Sequence, residues 1–144
     1  MTRQLYNPTW PDRVAKALLL IRILVGWVFV SEGVQKFLFP AQLGVGRFEK
    51  IGIPSPHVMA SFVGTVEIAC GALVLIGLFT RVATIPLLGV ILVAIATTKI
   101  PLIVKTGMWS MLHEARADFS MLLGLLFLLI TGAGSLSVDA SRER

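Results

Sequence analysis

Four long apolar stretches constrain the fold of this chain more than any other feature. A membrane-spanning helix needs about 20 mostly apolar residues to cross a hydrocarbon core about 30 Å thick. Four such stretches are separated by short segments rich in proline, glycine and charge, and they cover residues 14–39, 57–79, 82–104 and 112–131. Little of the chain remains for a soluble region. We therefore predict one domain, residues 1–144, built as an all-α integral membrane four-helix up-down bundle.

The composition supports this class. Of the 144 residues, 56% are hydrophobic and only 15% are charged, and the mean hydropathy is +0.84, which is too apolar for an ordinary soluble domain. The polar segment "MTRQLYNPTWPDR" precedes an apolar run that is too long for a signal peptide, so we expect no cleaved leader. Cys70 is the only cysteine. A single cysteine cannot form an intrachain disulfide or a Cys-x-x-Cys redox pair, so the sequence excludes both.

The distribution of lysine and arginine predicts the orientation in the membrane. With the N-terminus inside, seven of the 13 basic residues fall on the cytoplasmic side, and the other six alternate with acidic residues that can neutralise them. We therefore predict a multi-pass protein of the cytoplasmic (inner) membrane with both termini in the cytoplasm. The net charge of +5 favours contact with anionic lipids of the bilayer and gives no reason to expect nucleic acid as a partner.

A glutamate near the middle of the second apolar stretch is the first candidate functional residue. Glu67 is the only formally charged side chain between residues 57 and 79, and an uncompensated charge at a membrane-helix centre costs about 2.5–3.5 kcal/mol. It lies on a stripe of small residues with Ala60, Gly64 and Gly71, and such stripes are where membrane helices approach one another. We therefore expect the Glu67 side chain to face another helix, which must supply a partner unless the carboxyl group is protonated.

Five further charged residues lie within or beside the apolar stretches. Glu32 and Lys36 are four residues apart, and so are Glu114 and Asp118. This spacing places both members of a pair on one face of a helix. The purely apolar part of the fourth stretch, residues 119–131, spans only about 20 Å. We therefore expect the acidic residues that precede it to be drawn into the membrane and to face lysines of other helices. The prediction is one polar pocket in the outer half of the bundle, built from Glu32, Lys36, Glu67, Lys99, Glu114 and Asp118.

Other polar residues are weaker candidates for this pocket, namely His113, Arg116 and Cys70. The histidines lack a spacing diagnostic of haem or metal, so the sequence predicts neither. A lone membrane cysteine is usually a small apolar packing residue. Arg22 and Arg116 are expected to extend toward the lipid headgroups. Internal ion pairs can also simply hold helices in register, so a structural role remains open beside a ligand or proton site.

Several short motifs, taken in order, resemble the DoxX family of small four-helix bacterial membrane proteins. They cover nearly the whole chain and read "EGVQKFLFP", "RFEKIGIPSP", "EIACGALVLIGLFTR" and "GAGSLSVD". The family takes its name from a subunit associated with quinone-linked thiosulfate oxidation, and related members are linked to membrane redox or oxidative-stress complexes. The resemblance therefore implies the fold, and it implies an association with membrane redox chemistry.

The predicted pocket and the resemblance together indicate a redox-associated subunit that binds a quinone or a similar small amphipathic molecule. Glu67 or Asp118 would accept a proton, and Lys36 or Lys99 would donate a hydrogen bond to a carbonyl oxygen. The sequence contains no motif for an electron carrier, so we expect a redox partner protein or a homo-oligomer, with this chain as a catalytic or an accessory subunit. The alternatives are a small-molecule or proton-coupled transporter and a purely structural scaffold.

Overall fold

The computed structural model describes residues 10–142, and those residues contain helices and no strand. The elements in chain order are α1 (Trp10–Leu38), α2 (Val45–Lys50), α3 (Pro56–Ile76), α4 (Thr80–Ala94), a π-helical segment (Ile95–Lys99), α5 (Ile100–Thr106), α6 (Met108–Glu114), α7 (Arg116–Thr131) and α8 (Val138–Arg142).

Four helices, α1, α3, α4 and α7, form the predicted bundle. α1 packs against α3 and α7, and α4 packs against the same two helices. Three helical segments are long and apolar enough to span a membrane, at Arg13–Leu38, Pro56–Ile76 and Thr80–Thr106. The predicted all-α membrane fold is therefore confirmed.

A tight turn joins α3 to α4 and marks what we call the hairpin end of the bundle. Gly77 ends α3 in the left-handed conformation with φ 72°, which glycine adopts without the steric cost of a Cβ. The first turn of α4 leaves backbone N–H groups without helical partners. Asp139 satisfies two of them, because its carboxylate accepts hydrogen bonds from the N–H groups of Phe79 and Thr80 at 2.9 and 3.3 Å. The segment that follows α7 therefore caps α4.

The fourth apolar stretch is divided into two helices. α6 ends at Glu114 and α7 begins at Arg116, with a single turn residue, Ala115, between them. The prediction of one helix over residues 112–131 is therefore wrong. The break keeps His113, Glu114 and Arg116 exposed, where their polar groups can be solvated. α7 alone has 16 residues and a length of about 24 Å.

The third apolar stretch is continuous from Thr80 to Thr106, but it widens into a π-helix at Ile95–Lys99. Pro101 follows this segment near the start of α5. A proline inside a helix has no N–H to donate and crowds the carbonyl four residues earlier. We attribute the local widening to this proline, because π-helical turns occur as short insertions that accommodate such irregularities.

The bundle contains an apolar core to which four helices contribute. Val25 of α1, Val74 of α3, Leu87 of α4 and Leu125 of α7 are all completely buried and belong to one hydrophobic cluster. Since lipid tails are as apolar as these side chains, tight packing between helices stabilises the bundle more than removal of apolar surface from water does.

Glycine permits a close approach between α1 and α3. A Cβ on Gly33 would lie 2.6 Å from the carbonyl oxygen of Gly64 and 3.0 Å from Cβ of Glu67. The backbones therefore meet directly beside the buried glutamate. This contact agrees with the prediction that the small-residue stripe of α3 faces another helix.

Gly33→Ala should lower the free energy of unfolding by about 1–3 kcal/mol, because the added methyl group forces these two backbones apart. Unfolding of the purified protein in a defined detergent measures the change. Gly89→Ala is the matched control, because a Cβ there would meet nothing within 4 Å and alanine favours the helix. Equal stability of the two variants would contradict the close α1–α3 contact.

Candidate functional site

One ion-paired group lies between α1 and α3 and consists of Glu32, Lys36 and Glu67, which we call the Lys36 cluster. Lys36 Nζ lies 2.7 Å from Glu67 Oε2 and 3.8 Å from Glu32 Oε2. Lys36 is in the last turn of α1, whereas Glu67 is near the middle of α3 and is only 4% exposed. The buried glutamate therefore has a partner from another helix.

Glu67 Oε2 has one polar partner among the described residues, the ammonium group of Lys36 at 2.7 Å. At this distance an ammonium group donates a charge-assisted hydrogen bond to a carboxylate oxygen. A carboxylate oxygen has two lone pairs and can accept more than one hydrogen bond. Glu67 Oε2 therefore has unused capacity to accept a hydrogen bond from a bound molecule.

The Lys36 cluster opens on the side of Glu32. The Glu32 side chain is 50% exposed, whereas those of Lys36 and Glu67 are 11% and 5% exposed. Arg47 of α2 contributes a further positive charge to the electrostatic environment of Glu67. The cluster thus combines two carboxylates and one ammonium group, with the charge of Arg47 beside it, and it is accessible from one side.

A second ion pair lies between the π-helical segment and α7. Lys99 Nζ is 3.3 Å from Asp118 Oδ2, and both side chains are largely buried. Lys99 is the last residue of the π-helix, and such turns are frequent at functional positions because they re-orient one residue relative to a regular helix. We call these two residues the Lys99 pair.

The six residues of the predicted pocket do not form one ion-paired group. Five of the six form two groups, the Lys36 cluster and the Lys99 pair, and no ion pair among residues 13–142 connects them. Glu114 belongs to neither group and is exposed. The expectation that Glu114 turns inward is therefore wrong, because the break at Ala115 leaves α6 free to present this residue outward.

The weaker candidates lie apart from both groups. His113 and Arg116 are exposed, and the Arg116 guanidinium donates a hydrogen bond to the His113 carbonyl. Cys70 is a half-buried free thiol packed against the apolar core. Within the described part of the chain, no group of three or more histidine, cysteine or acidic residues is arranged to hold a metal ion.

Arg22 occupies a position that the sequence prediction missed. It is only 2% exposed, and its guanidinium donates to the carbonyls of Val74, Leu75, Ala133 and Leu136 at 2.6–3.1 Å. The expectation that Arg22 extends to the headgroups is therefore wrong. The last carbonyls of a helix lack helical partners, and Arg22 satisfies those of α3 together with carbonyls that follow α7. The sequence contained one signal for this contact, the glycines that follow α3 and α7. A glycine at this position commonly marks the end of a helix, where the last carbonyls lack helical partners.

The helices and their buried ion pairs define a small polytopic all-α membrane protein. The DoxX family model matches residues 17–100. The uncharacterized membrane protein Rv3486 of Mycobacterium tuberculosis is 50% identical over 142 residues, which cover 92% of this chain and 87% of that protein.

A second relative is more distant. It is CatD of Bacillus subtilis, which has a provisional name as an oxidoreductase and is 30% identical over 121 residues, covering 84% of this chain and 83% of that protein. No solved structure gave a significant match. The family match covers more than half of the chain, and the chain therefore belongs to the DoxX family.

Proposed function

We propose that the Lys36 cluster binds the polar head of a quinone-like small molecule, and that the protein is a redox-associated subunit of the bacterial inner membrane. The observation that carries the proposal is Glu67 Oε2, a buried carboxylate oxygen whose one polar partner among the described residues is the ammonium group of Lys36. Ligand sites in membrane bundles combine apolar walls with a few polar groups that fix orientation. Lys36 and Glu67 supply those polar groups.

The chemistry of a quinone head matches this arrangement. In the oxidised form, its carbonyl oxygen accepts a hydrogen bond from the Lys36 ammonium group. In the reduced form, its hydroxyl group donates to Glu67, which is placed to take the proton when the molecule is oxidised. The half-exposed Glu32 side chain lies on the open side of the cluster, so a lipid-soluble molecule can approach from there.

The oxidation of a quinol also releases electrons, and these require an acceptor outside the described residues. We propose a redox partner protein as the electron acceptor, and the chain binds this partner either alone or as a homo-oligomer. The name of CatD, an oxidoreductase by provisional assignment, supports a redox setting. We further propose that the chain is one domain and that its hairpin end faces the cytoplasm together with both termini, which follows from the distribution of basic residues.

The experiment is to purify the protein in native lipid and to quantify the quinones that organic solvent extracts from it. We expect about one quinone per chain in the wild type. Glu67→Gln should lower this amount at least tenfold, because it removes the proton-accepting charge. Glu114→Gln is the matched control, since Glu114 is exposed and makes no ion pair with a described residue. A wild type without quinone, or equal quinone content in the two variants, would contradict the proposal.

The Lys99 pair favours a second candidate function, a proton-coupled transporter. It places a second lysine and carboxylate, both largely buried, between the π-helical segment and α7, and intramembrane charges are typical of proton pathways. Vesicles with a pH gradient test this alternative. Uptake that Asp118→Asn abolishes would support transport. If neither Asp118→Asn nor Glu67→Gln alters uptake or quinone content while both lower the melting temperature, the charges have a scaffold role.

A further inference from the structure

A cleft of about 710 Å³ opens at the hairpin end of the bundle, remote from both ion-paired groups. Its walls come from the α3–α4 turn, the segment after α7, and α8. The residues that line it include Thr80, Arg81, Asp139 and Arg142, and none of the lining residues belongs to the Lys36 cluster or the Lys99 pair. The cleft is therefore independent of the proposed quinone site.

Two arginines give the cleft a positive charge. The guanidinium of Arg81 donates a hydrogen bond to the Ile130 carbonyl at 3.0 Å, and the guanidinium carbon of Arg142 lies 5.7 Å from the centre of the Phe79 ring. Neither arginine forms an ion pair with a carboxylate among residues 13–142. Both guanidinium groups are thus held at the cleft while their charges remain available to an anion.

The one carboxylate in the cleft wall, that of Asp139, offsets only one of the two arginine charges. Both oxygens of Asp139 accept hydrogen bonds from the backbone N–H groups of Phe79 and Thr80. Asp139 is therefore engaged as the cap of α4. The two arginines and this single carboxylate leave the cleft with a net positive charge.

The cleft wall also contains a buried hydroxyl without a partner. Thr80 is only 1% exposed, and its Oγ1 makes no hydrogen bond with any described residue. Since leaving a buried polar group unsatisfied is unfavourable, a partner at this position is expected. An anionic oxygen in the cleft would be that partner.

The position of the cleft relative to the membrane indicates where such an anion comes from. The membrane-spanning segments of α3 and α4 meet at this end, with bounds at Ile76 and Thr80. Phe79, Val82 and Ile130 present exposed apolar side chains next to the cleft. A phosphate group attached to acyl chains fits both features, because headgroups lie at the level where the apolar segments end.

We propose that this cleft binds the phosphate group of an anionic phospholipid. Arg81 and Arg142 donate to the phosphate oxygens, in the charge-assisted geometry that arginine favours. The hydroxyl of Thr80 donates to a further phosphate oxygen. The acyl chains lie along the exposed apolar residues beside the cleft.

Native mass spectrometry of the full chain, released from nanodiscs that contain phosphatidylglycerol and phosphatidylcholine in equal amounts, tests the proposal. The wild type should retain phosphatidylglycerol in preference to phosphatidylcholine. The double variant Arg81→Gln/Arg142→Gln should reduce the retained phosphatidylglycerol at least tenfold, and Thr80→Val should reduce it about threefold. Arg116→Gln is the control, because Arg116 is an exposed arginine that does not line the cleft.

Three outcomes would overturn the proposal. The first is equal retention of the two lipids by the wild type, and the second is unchanged retention in the double variant. The third is displacement of the lipid by millimolar inorganic phosphate, which would assign the site to free phosphate. If the double variant does not fold, the single variant Arg142→Gln takes its place in the test. This variant is expected to fold, because the contact described for the Arg142 guanidinium is with the exposed Phe79 ring. Unchanged retention in this variant would equally overturn the proposal.

Discussion

Replacing Lys36 with methionine should lower the free energy of unfolding by about 3–5 kcal/mol, because the Glu67 carboxylate would stay buried without its cation. The two groups are 2.7 Å apart, and both side chains are largely buried, so solvent screens their interaction only weakly. Methionine is similar in length to the apolar part of lysine and limits the loss of packing. Unfolding of the variant in a defined detergent, compared with the wild type, measures the change.

Lys50→Met is the matched control for this substitution. Lys50 is exposed at the end of α2 and forms no ion pair with a described carboxylate. Its removal should change the stability by less than about 0.5 kcal/mol. A similarly small change for Lys36→Met would show that Lys36 does not compensate the charge of Glu67.

Arg22→Met should be at least as damaging, with an expected loss of about 4 kcal/mol or more. The substitution removes four hydrogen bonds from one guanidinium, and each hydrogen bond to a charged group contributes about 1.5–3 kcal/mol. It also leaves buried carbonyls at the end of α3 and after α7 without a donor. The same unfolding measurement applies.

Arg22→Lys distinguishes the geometry of arginine from its charge. A lysine ammonium is compact and lacks the planar fork of donors, so it cannot reach carbonyls of two separate segments at once. We expect this variant to lose most of the stability that Arg22→Met loses. Arg13→Met, an exposed arginine of the same helix, should be nearly neutral. Full stability of Arg22→Lys would indicate that the four hydrogen bonds contribute little.

Much of the fold could be predicted because the length and apolarity of a sequence segment are enough to identify it as a membrane-spanning helix. The predicted stretch 57–79 corresponds to α3 at Pro56–Ile76, and the stretch 82–104 to the continuous helical segment Thr80–Thr106. The break at Ala115 could not be predicted in this way. It depends on whether polar residues are solvated at the surface or drawn into the bundle, which is a tertiary property.

The candidate site could be predicted only in part. The burial of Glu67 followed from the small-residue stripe and is confirmed, since Ala60, Gly64 and Gly71 are buried beside it. The identity of its partner did not follow, because it depends on the register between α1 and α3. Helical spacing also cannot indicate that Arg22 would satisfy carbonyls from two distant segments, since those segments meet only in the folded chain.

A double-mutant cycle on Lys36 and Glu67 tests the central claim most directly. The variants are Lys36→Met, Glu67→Gln and the two combined, with the free energy of unfolding measured for each. If the buried charges face each other, the combined variant should be less destabilised than the sum of the single variants, with a coupling energy of about 2–3 kcal/mol. Additivity within about 0.5 kcal/mol would mean that the two side chains do not interact, and it would contradict the Lys36 cluster as the candidate site.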